Sequence, residues 1–429
     1  MPKKNKALIF PAGSEIGLEI YRSLRYNLHA DVYGVSGKSD HARFIYPPER
    51  YEEGPYFIDS PGFLSAFNDL LSRWKIDFIY PTHDTIALWL AENAHLLKAS
   101  AIGSSFEAAR VARSKKLTYK EFEHEEFCPA VYGVGQMPDR FPVFVKPDEG
   151  QGGQGASVVS SWPDLQRLFS SRPNLVVTEY LPGEELSVDC FTDRHGVLRF
   201  VGPRTRSRVT IGISYESKTF SLTPEIRAIA DSINSRIKLR GAWFFQIKKA
   251  YNSKWKLLEF AARQSSTMGL YRPSGINFSL LSLFDAMEMD VEILNNGIDI
   301  SLSRSLQNAY KLDYAVKRVY LDFDDTLIID DKVNVQAMTF IYQCRNKSVP
   351  VVLLTKHRYN IYESLSCHSI DARLFDEIIT LREDEEKHCC IDEEGAIFVD
   401  NHFADRAKVA REKRIPVFDV DGIDGLMHE

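Results

Sequence analysis

The chain has 429 residues, of which 44% are hydrophobic and 26% charged, and its formal net charge is −6. This length exceeds one ordinary hydrophobic core and predicts two to four globular domains. The small net charge gives no reason to expect nucleic acid or an anionic membrane as a partner.

The cysteines and the first residues predict a cytoplasmic protein. None of the six cysteines has C-x-x-C spacing, which argues against a zinc site and for a reducing compartment. Lys3, Lys4 and Lys6 precede an apolar run that covers only residues 7–10. That run is typical of a strand and is too short for a signal peptide or a membrane span.

Residues 1–110 alternate strand and helix patterns. Strands are predicted at the runs KALIF, ADVYGVS and DFIYP, with helical spacing between them. This alternation predicts an α/β unit with a parallel sheet covered on both faces. Gly13 and Gly17 lack the G-x-G-x-x-G spacing of a dinucleotide site, so we interpret them as turn and helix-packing residues. His83 and Asp84 follow the third strand, where they either border a substrate site or, for Asp84, cap the next helix.

Residues 111–305 show antiparallel patterns, which predict an α+β domain. The run FPVFVKPDEGQGGQGASVV indicates a strand, a glycine-rich loop and another strand, and GAWFFQIKKAYNSKWKLLEF indicates a hairpin that turns near Asn252 and Ser253. A glycine-rich loop lets backbone N–H groups approach phosphates closely, although a plain hairpin connection explains it equally well. Its glycines are Gly150, Gly152, Gly153 and Gly155.

Together these runs resemble the ATP-grasp ligases, and among them the carbamoyl-phosphate-synthase-like members, over residues 5–300. The resemblance implies a pre-ATP-grasp Rossmann-like unit at 1–110, an ATP-grasp domain at 111–305, and ATP and Mg²⁺ as cofactors. It implies phosphate contacts from lysines and loop glycines, adenine contacts from a hinge, and a ribose contact from Glu185. These cofactor-binding residues are Lys115 (or its neighbour Lys116), Lys146, Gly152, Gly153, Thr178, Glu179, Tyr180, Leu181 and Glu185.

The same resemblance implies a metal site and one catalytic arginine. Gln246 and Glu259 would hold Mg²⁺, and Arg263 would contact the transferred phosphate. The family carries Asn two positions after the metal-binding Glu, whereas this chain has Ala261. One metal-binding oxygen is therefore missing. Water replaces it, or the second Mg²⁺ binds weakly, or the module binds nucleotide without catalysis.

Three arginines alternate in the run GPRTRSRV. Arg204, Arg206 and Arg208 would share one face if this run is a strand. Guanidinium groups bind carboxylate or phosphate in a bidentate manner, which makes the three arginines candidates for substrate binding. A solvated edge strand is the equal alternative.

Residues 316–429 return to an α/β pattern with acidic residues after apolar strands. Asp322, Asp324 and Asp325 follow the run RVYL, and Asp400 follows AIFV with Asp405 five positions later. The carboxyl ends of neighbouring parallel strands meet at one edge of a sheet. Gathering carboxylates there without a cation is costly, and oxygen ligands favour Mg²⁺.

The order D-x-D-x-T, strand-end Thr, Lys and D-x-x-x-x-D resembles the haloacid-dehalogenase-like (HAD-like) phosphohydrolases. The resemblance implies a doubly wound domain in which Asp322 attacks phosphorus, Asp324 protonates the leaving group, and Thr355 and Lys387 hold the phosphoryl oxygens. About 28 residues separate the first two motifs, which leaves no room for a large cap, so the site is either open to bulky substrates or covered by the N-terminal part. The implied Mg²⁺ ligands are Asp322, Asp324 through its backbone carbonyl, Asp400 and Asp405.

The leading hypothesis is a bifunctional enzyme. The ligase module would use ATP to phosphorylate a small-molecule carboxylate, and an amine would then attack the acyl phosphate to give an amide. The C-terminal domain would hydrolyse a phosphate ester of the same pathway. We expect no nucleic acid or membrane partner and leave a homodimer open. The alternative is a phosphatase with a degenerate, nucleotide-binding ATP-grasp module as sensor or lid. A scaffolding protein is a third hypothesis, against which the costly carboxylate cluster argues.

Overall fold

The structure, a computed structural model, comprises two compact units, residues 1–306 and residues 307–429. The first unit contains both segments that the sequence predicts as pre-ATP-grasp and ATP-grasp domains. The expected boundary near residue 110 lies inside a helix. The residues that the structure describes are 4–150, 153–172, 174–210, 212–392 and 394–427.

The first unit begins with a parallel sheet, as the strand–helix alternation predicts. The strand order is 3-2-1-4-5, and each neighbouring pair is parallel. Two apolar clusters pack against alternate residues of the first strand, one under the first helix and one under the second, so both faces are covered. The elements are β1 (Asn5–Phe10), α1 (Glu15–Leu24), β2 (Ala30–Ser36), β3 (Tyr51–Glu53), α2 (Phe63–Trp74), β4 (Phe78–Pro81), α3 (Asp84–Glu92) and β5 (Ser100–Ala101).

Gly17 lets α1 start close to the end of β1. Its N–H donates to the hydroxyl oxygen of Ser14, the N-cap residue, at 3.0 Å. A Cβ at Gly17 would lie 2.4 Å from the carbonyl oxygen of Ala12, so a larger residue would displace the helix. The predicted helix-packing role of Gly17 is confirmed.

Two antiparallel sheets follow in the first unit. The first of them has four strands in the order 6-9-7-8, numbered along the chain. The glycine-rich loop connects strands 7 and 8. Its elements and the two helices before it are α4 (Phe106–Arg113), α5 (Lys115–Glu121), β6 (Val131–Tyr132), β7 (Val143–Pro147), β8 (Ser157–Val159), α6 (Trp162–Ser171) and β9 (Leu175–Glu179).

The second antiparallel sheet has the order 11-10-14-15 and contains the predicted hairpin. The hairpin turns at Ser253, whose φ is 63°, so the turn predicted near Asn252 and Ser253 is confirmed. Three further short strands pair in the order 12-13-16. The elements are β10 (Glu185–Thr192), β11 (Leu198–Thr205), β12 (Arg208–Thr210), β13 (Ile213–Lys218), α7 (Pro224–Arg236), β14 (Gly241–Lys249), β15 (Trp255–Ala261), α8 (Phe278–Ala286) and β16 (Ser301–Ser303).

The second unit is a parallel sheet with the strand order 21-20-17-22-23, together with a short hairpin. Leu321, at the end of the central strand, pairs with Leu353 on one side and Val399 on the other. The elements are β17 (Arg318–Leu321), β18 (Ile328–Ile329), β19 (Lys332–Val333), α9 (Val335–Asn346), β20 (Val351–Thr355), α10 (Ile361–Cys367), β21 (Glu377–Thr380), β22 (Ala396–Val399), α11 (Phe403–Lys413), β23 (Val417–Phe418) and α12 (Ile423–Leu426).

Helices cover both faces of this sheet. Val319 and Leu321 belong to a cluster with α9 and α12, whereas Tyr320 belongs to another with α11. The stretch between Thr326 and the start of β20 holds only the β18–β19 hairpin and α9, which agrees with the expectation of no large cap. Among the described residues, no helix has the length and apolar character needed to cross a membrane.

Candidate functional sites

The first unit contains a cavity of about 240 Å³ between its two antiparallel sheets, which we call the lysine cavity. Residues from α5, β7, β9, β10, β14 and β15 line it, so distant parts of the sequence meet there. Gly152, also predicted for cofactor binding, lies outside the described residues. The predicted residues that line the cavity are Lys115, Lys146, Gly153, Thr178, Glu179, Tyr180, Leu181, Glu185, Gln246 and Glu259.

Lys146 is the most buried charge of this cavity, with 7% of the residue exposed. Its ammonium donates to the hydroxyl of Tyr119 at 2.7 Å and to the carbonyl oxygen of Leu258 at 2.9 Å. Burial lowers the pKa of Lys146 to about 8, while the nearby Glu259 carboxylate opposes that shift. Among the described residues, both hydrogen-bond acceptors of the ammonium are neutral oxygens, so an anion in the cavity would stabilise its charge.

Lys115 occupies the first position of α5. Its ammonium lies 3.9 Å from a carboxylate oxygen of Glu259 and 3.3 Å from the carbonyl oxygen of Asp148. The Asp148 carboxylate accepts from the Ser114 hydroxyl at 2.9 Å and from the backbone N–H of Lys116 at 2.8 Å. Lys116 itself is exposed, and Lys115 is the member of this pair that lines the cavity.

Gln246 and Glu259 stand opposite each other in the β14–β15 pairing. Both side chains carry oxygen donors, which suits Mg²⁺. Ala261 pairs with Phe244 in a buried apolar cluster and brings no side-chain oxygen. No three His, Cys, Asp or Glu side chains converge as a metal-binding group within the described residues. A Mg²⁺ ion would therefore need nucleotide phosphate and water to complete its coordination.

Glu185 forms ion pairs with two basic side chains. One carboxylate oxygen lies 2.8 Å from Arg206 and the other 3.6 Å from Lys248. Lys248 and the apolar Phe144 are lining residues that sequence reasoning missed. Each lies two positions from a predicted residue on the same strand, Lys248 from Gln246 and Phe144 from Lys146. The period of two along a strand could have identified both.

A second cavity of about 250 Å³, which we call the arginine cavity, shares Lys115, Gln246 and Glu259 with the lysine cavity. Arg263 lines it and forms an ion pair of 2.6 Å with Asp84. Asp84 is the first residue of α3 and follows the N-cap residue His83. Its carboxylate contacts Arg263 in the lining of this cavity, and its place at the border of a substrate site stays a prediction.

The three alternating arginines do not share one strand face, which corrects the expectation from spacing. β11 ends at Thr205, whose hydroxyl accepts from the N–H of Lys218, and the chain then pairs with β13. Arg204 and Arg206 line the arginine cavity. Arg208 is exposed and donates to Ser303 at 3.4 Å and to the carbonyl oxygen of Arg304 at 3.3 Å.

Arg204 is buried and anchored inside the sheet. Its Nε donates to the Asp189 carboxylate at 2.6 Å, and its Nη2 donates to the Ser265 hydroxyl at 3.2 Å. Among the described residues, Nη1 is buried without a hydrogen-bond partner. One N–H side of this guanidinium is therefore a buried donor without an acceptor.

The second unit brings Asp322, Lys387 and Asp400 together. The Lys387 ammonium lies 2.8 Å from Asp322 and 2.6 Å from Asp400. Burial, together with the Asp400 charge, raises the pKa of Asp322 to about 6 against the opposing effect of Lys387. Burial also raises the pKa of Asp400. Burial alone would lower the pKa of Lys387, but the two carboxylates raise it.

The remaining predicted residues are Thr355, Asp405 and Asp324. Thr355 is buried at the end of β20, and Asp405 lies 3.9 Å from the Lys387 ammonium and 3.0 Å from His402. Asp324 contacts His357, which sequence reasoning did not single out. Because no three acidic, His or Cys side chains form a metal-binding group among the described residues, phosphate and water would have to complete the coordination of Mg²⁺ here.

Comparison with known proteins gives a match to one family model over part of the chain. Residues 171–315 match the family model described as ATP-grasp in the biosynthetic pathway with Ter operon. The comparison with curated proteins found no match.

Solved structures share the fold of the first unit at low sequence identity. Staphylococcus aureus N5-carboxyaminoimidazole synthetase complexed with ADP aligns with a TM-score of 0.55 and 15% identity, covering 67% of this chain and 78% of that chain. The biotin carboxylase domain of Hydrogenobacter thermophilus 2-oxoglutarate carboxylase gives 0.54 and 16%, covering 69% and 72%. An L-amino acid ligase from Bacillus licheniformis gives 0.52 and 18%, covering 68% and 75%. The chain therefore carries an ATP-grasp domain with the mixed α/β ATP-grasp fold.

Proposed function

We propose that the first unit is an ATP-dependent carboxylate–amine ligase. The observation that carries the proposal is the sharing of Lys115, Gln246 and Glu259 by two cavities. ATP would occupy the lysine cavity, with Lys115 and Lys146 against its phosphates. The acceptor acid would occupy the arginine cavity, so the γ-phosphate would lie between the two.

In this reaction the acceptor carboxylate attacks the γ-phosphorus of ATP, and ADP leaves. An amine then attacks the acyl phosphate, the amide bond forms, and phosphate departs. Arg263, held by Asp84, would stabilise the transferred phosphoryl group. Mg²⁺, when bound, would neutralise phosphate charge during transfer. Amide formation also agrees with the fold shared with an L-amino acid ligase.

The second part of the proposal is a phosphatase in the second unit, of the HAD-like type. Asp322 would attack the phosphorus of a phosphate ester, and Asp324 would protonate the departing oxygen. Water would then release phosphate from the aspartyl-phosphate. Lys387 and Thr355 would hold the phosphoryl oxygens, and Mg²⁺, when bound, would offset their charge. The buried Asp322–Lys387–Asp400 cluster supports this assignment.

The ligase is tested with the Asp322→Asn protein, which lacks the proposed phosphatase nucleophile. ADP release is measured with Mg·ATP and pooled carboxylic acids, with and without pooled amines. We expect acid-dependent ADP that is lost in Lys115→Met and kept in the matched control Lys116→Met. No ADP with any pool would contradict the ligase.

Ala261 favours a second candidate function, a nucleotide-binding module that regulates the phosphatase. It predicts ATP binding without ADP formation, together with a change in phosphatase turnover when nucleotide is added. ADP that forms only with an acid present would exclude this candidate. Calorimetry measures ATP binding. Phosphate release with and without nucleotide measures the effect of the nucleotide on phosphatase turnover.

A further inference from the structure

A hydrogen-bonded chain of three side chains begins just after the carboxyl ends of β17 and β20 in the second unit. The Nδ1 atom of His357 contacts both carboxylate oxygens of Asp324, at 2.9 and 3.0 Å. The Nε2 atom contacts the Ser364 hydroxyl at 2.7 Å. One imidazole therefore joins α10 to the loop after β17.

His357 is held in place on several sides. Its side chain is 8% exposed, and its ring meets the ring of Phe323 edge-on at 4.8 Å. Its backbone N–H donates to the Thr355 hydroxyl at 3.2 Å. With Ser364 at the far nitrogen, the ring has one orientation that satisfies all of these contacts, so it is a rigid support.

Asp324, in contrast, has a side chain that is 53% exposed. In the described part of the chain, His357 is its only side-chain hydrogen-bond partner. An exposed carboxylate without such a contact would sample several rotamers. The bidentate contact with a fixed imidazole selects one of them.

We infer that His357 is a positioning residue that holds the Asp324 carboxyl group for proton transfer to the leaving group. The inference rests on the proposed phosphatase function. In the first step the bond from Asp322 to phosphorus forms, the ester P–O bond breaks, and the proton of Asp324 goes to the departing oxygen. In the second, water bonds to phosphorus, its proton goes to Asp324, and the bond to Asp322 breaks. A proton donor must lie within hydrogen-bond reach of the departing oxygen, so its orientation affects the rate.

The test compares His357→Ala with wild type on alkyl phosphates and on p-nitrophenyl phosphate, with Mg²⁺ present. Alkyl alcohols need protonation as they leave, whereas p-nitrophenolate does not. We expect kcat/KM, which reports formation of the aspartyl-phosphate, to fall on the order of a hundredfold for alkyl phosphates but only about tenfold for the aryl ester, with the alkyl loss in kcat rather than in KM. Added imidazole should restore part of the loss. The control is His368→Ala, which removes a histidine 3.6 Å from Asp331.

Several outcomes would overturn the inference. An equal loss of kcat/KM on both substrates, or a loss confined to KM, would show that His357 does not act through the proton donor. Labelling of Ser364 by a fluorophosphonate would assign the three side chains to a serine hydrolase instead, since their connectivity is that of such a triad. No wild-type turnover with any phosphate ester would refute the proposed phosphatase, and the inference with it.

The contact between His357 and Asp324 can also be measured without turnover and without the His357→Ala protein. The ring nitrogens of the histidines are observed by NMR in wild type and in Asp324→Asn. We expect the His357 signals to shift and those of His368 to stay. Unshifted His357 signals would refute the contact without any reference to turnover.

Discussion

The two candidate sites bury opposite charges. In the first unit, the buried ammonium of Lys146 contacts neutral oxygens, and burial lowers its pKa to about 8. In the second unit, two buried carboxylates share one ammonium, and burial raises the pKa of Asp322 to about 6. Burial thus favours the neutral form in both, but the ligand that restores the charged form is an anion in one site and a cation in the other.

The largest expected effect is the loss of one activity without the other. Asp322→Asn removes the proposed nucleophile, so phosphatase turnover should fall by roughly a thousandfold or more. ADP release by the first unit should stay within about twofold, because Asp322 belongs to the other compact unit. Steady-state assays of both reactions on one preparation measure this. Parallel loss of both activities would contradict two independent sites.

The next effect tests whether the lysine cavity needs its buried cation. Lys146→Met removes the charge and nearly keeps the side-chain length, so nucleotide affinity should weaken about ten- to a hundredfold, as expected for a hydrogen bond to a charged group. Titration calorimetry with ADP and Mg²⁺ measures the change. Lys116→Met is the matched control, since that lysine is exposed. Equal affinity in Lys146→Met and wild type would remove Lys146 from the nucleotide site.

The lowered pKa of Lys146 predicts proton uptake on nucleotide binding. Below about pH 7, Lys146 of the nucleotide-free protein is already charged, so nucleotide binding should take up almost no proton. Near pH 8 it is about half neutral, and phosphate would restore its charge, so uptake should reach about half a proton and rise further at pH 9. Calorimetry in buffers of different ionisation enthalpy measures the uptake. The same uptake in Lys146→Met would assign it to another group.

The smallest effect concerns Ala261. Ala261→Asn supplies the oxygen that the ATP-grasp pattern carries at this position, so ADP release should rise by a few-fold if that oxygen limits Mg²⁺ binding. The substitution also places an amide in a buried apolar cluster, which should cost about 1–3 kcal/mol of unfolding free energy. Denaturant unfolding and the Mg²⁺ dependence of ADP release measure both effects. Unchanged Mg²⁺ dependence would favour the regulatory candidate.

Periodicity and motif order predicted much of the fold. Both parallel sheets, the β14–β15 hairpin and the convergence of Asp322 with Asp400 follow from apolar runs and from what stands at their ends. The spacing of side chains along a strand, however, does not tell where the strand ends. β11 ends at Thr205 because the next residues pair with β13, so spacing alone misplaced Arg208.

Contacts between residues that are far apart in the sequence were the other feature that the sequence did not predict. Asp84 and Arg263 are 179 positions apart, and Asp324 and His357 are 33 positions apart. No local pattern marks either pair. Each forms because two strand ends happen to be neighbours in a sheet or across a cavity, which is a property of the tertiary structure.

Asp148 joins the entrance of the glycine-rich loop to the start of α5. Its carbonyl oxygen accepts from Lys115, and its carboxylate accepts from Ser114 and Lys116. The start of α5 and the residues that follow β7 therefore share one anchor, so a ligand that restrains one of them should restrain the other. Amide hydrogen exchange should accordingly slow in both segments at the same ligand concentration, although only one of them carries the glycines.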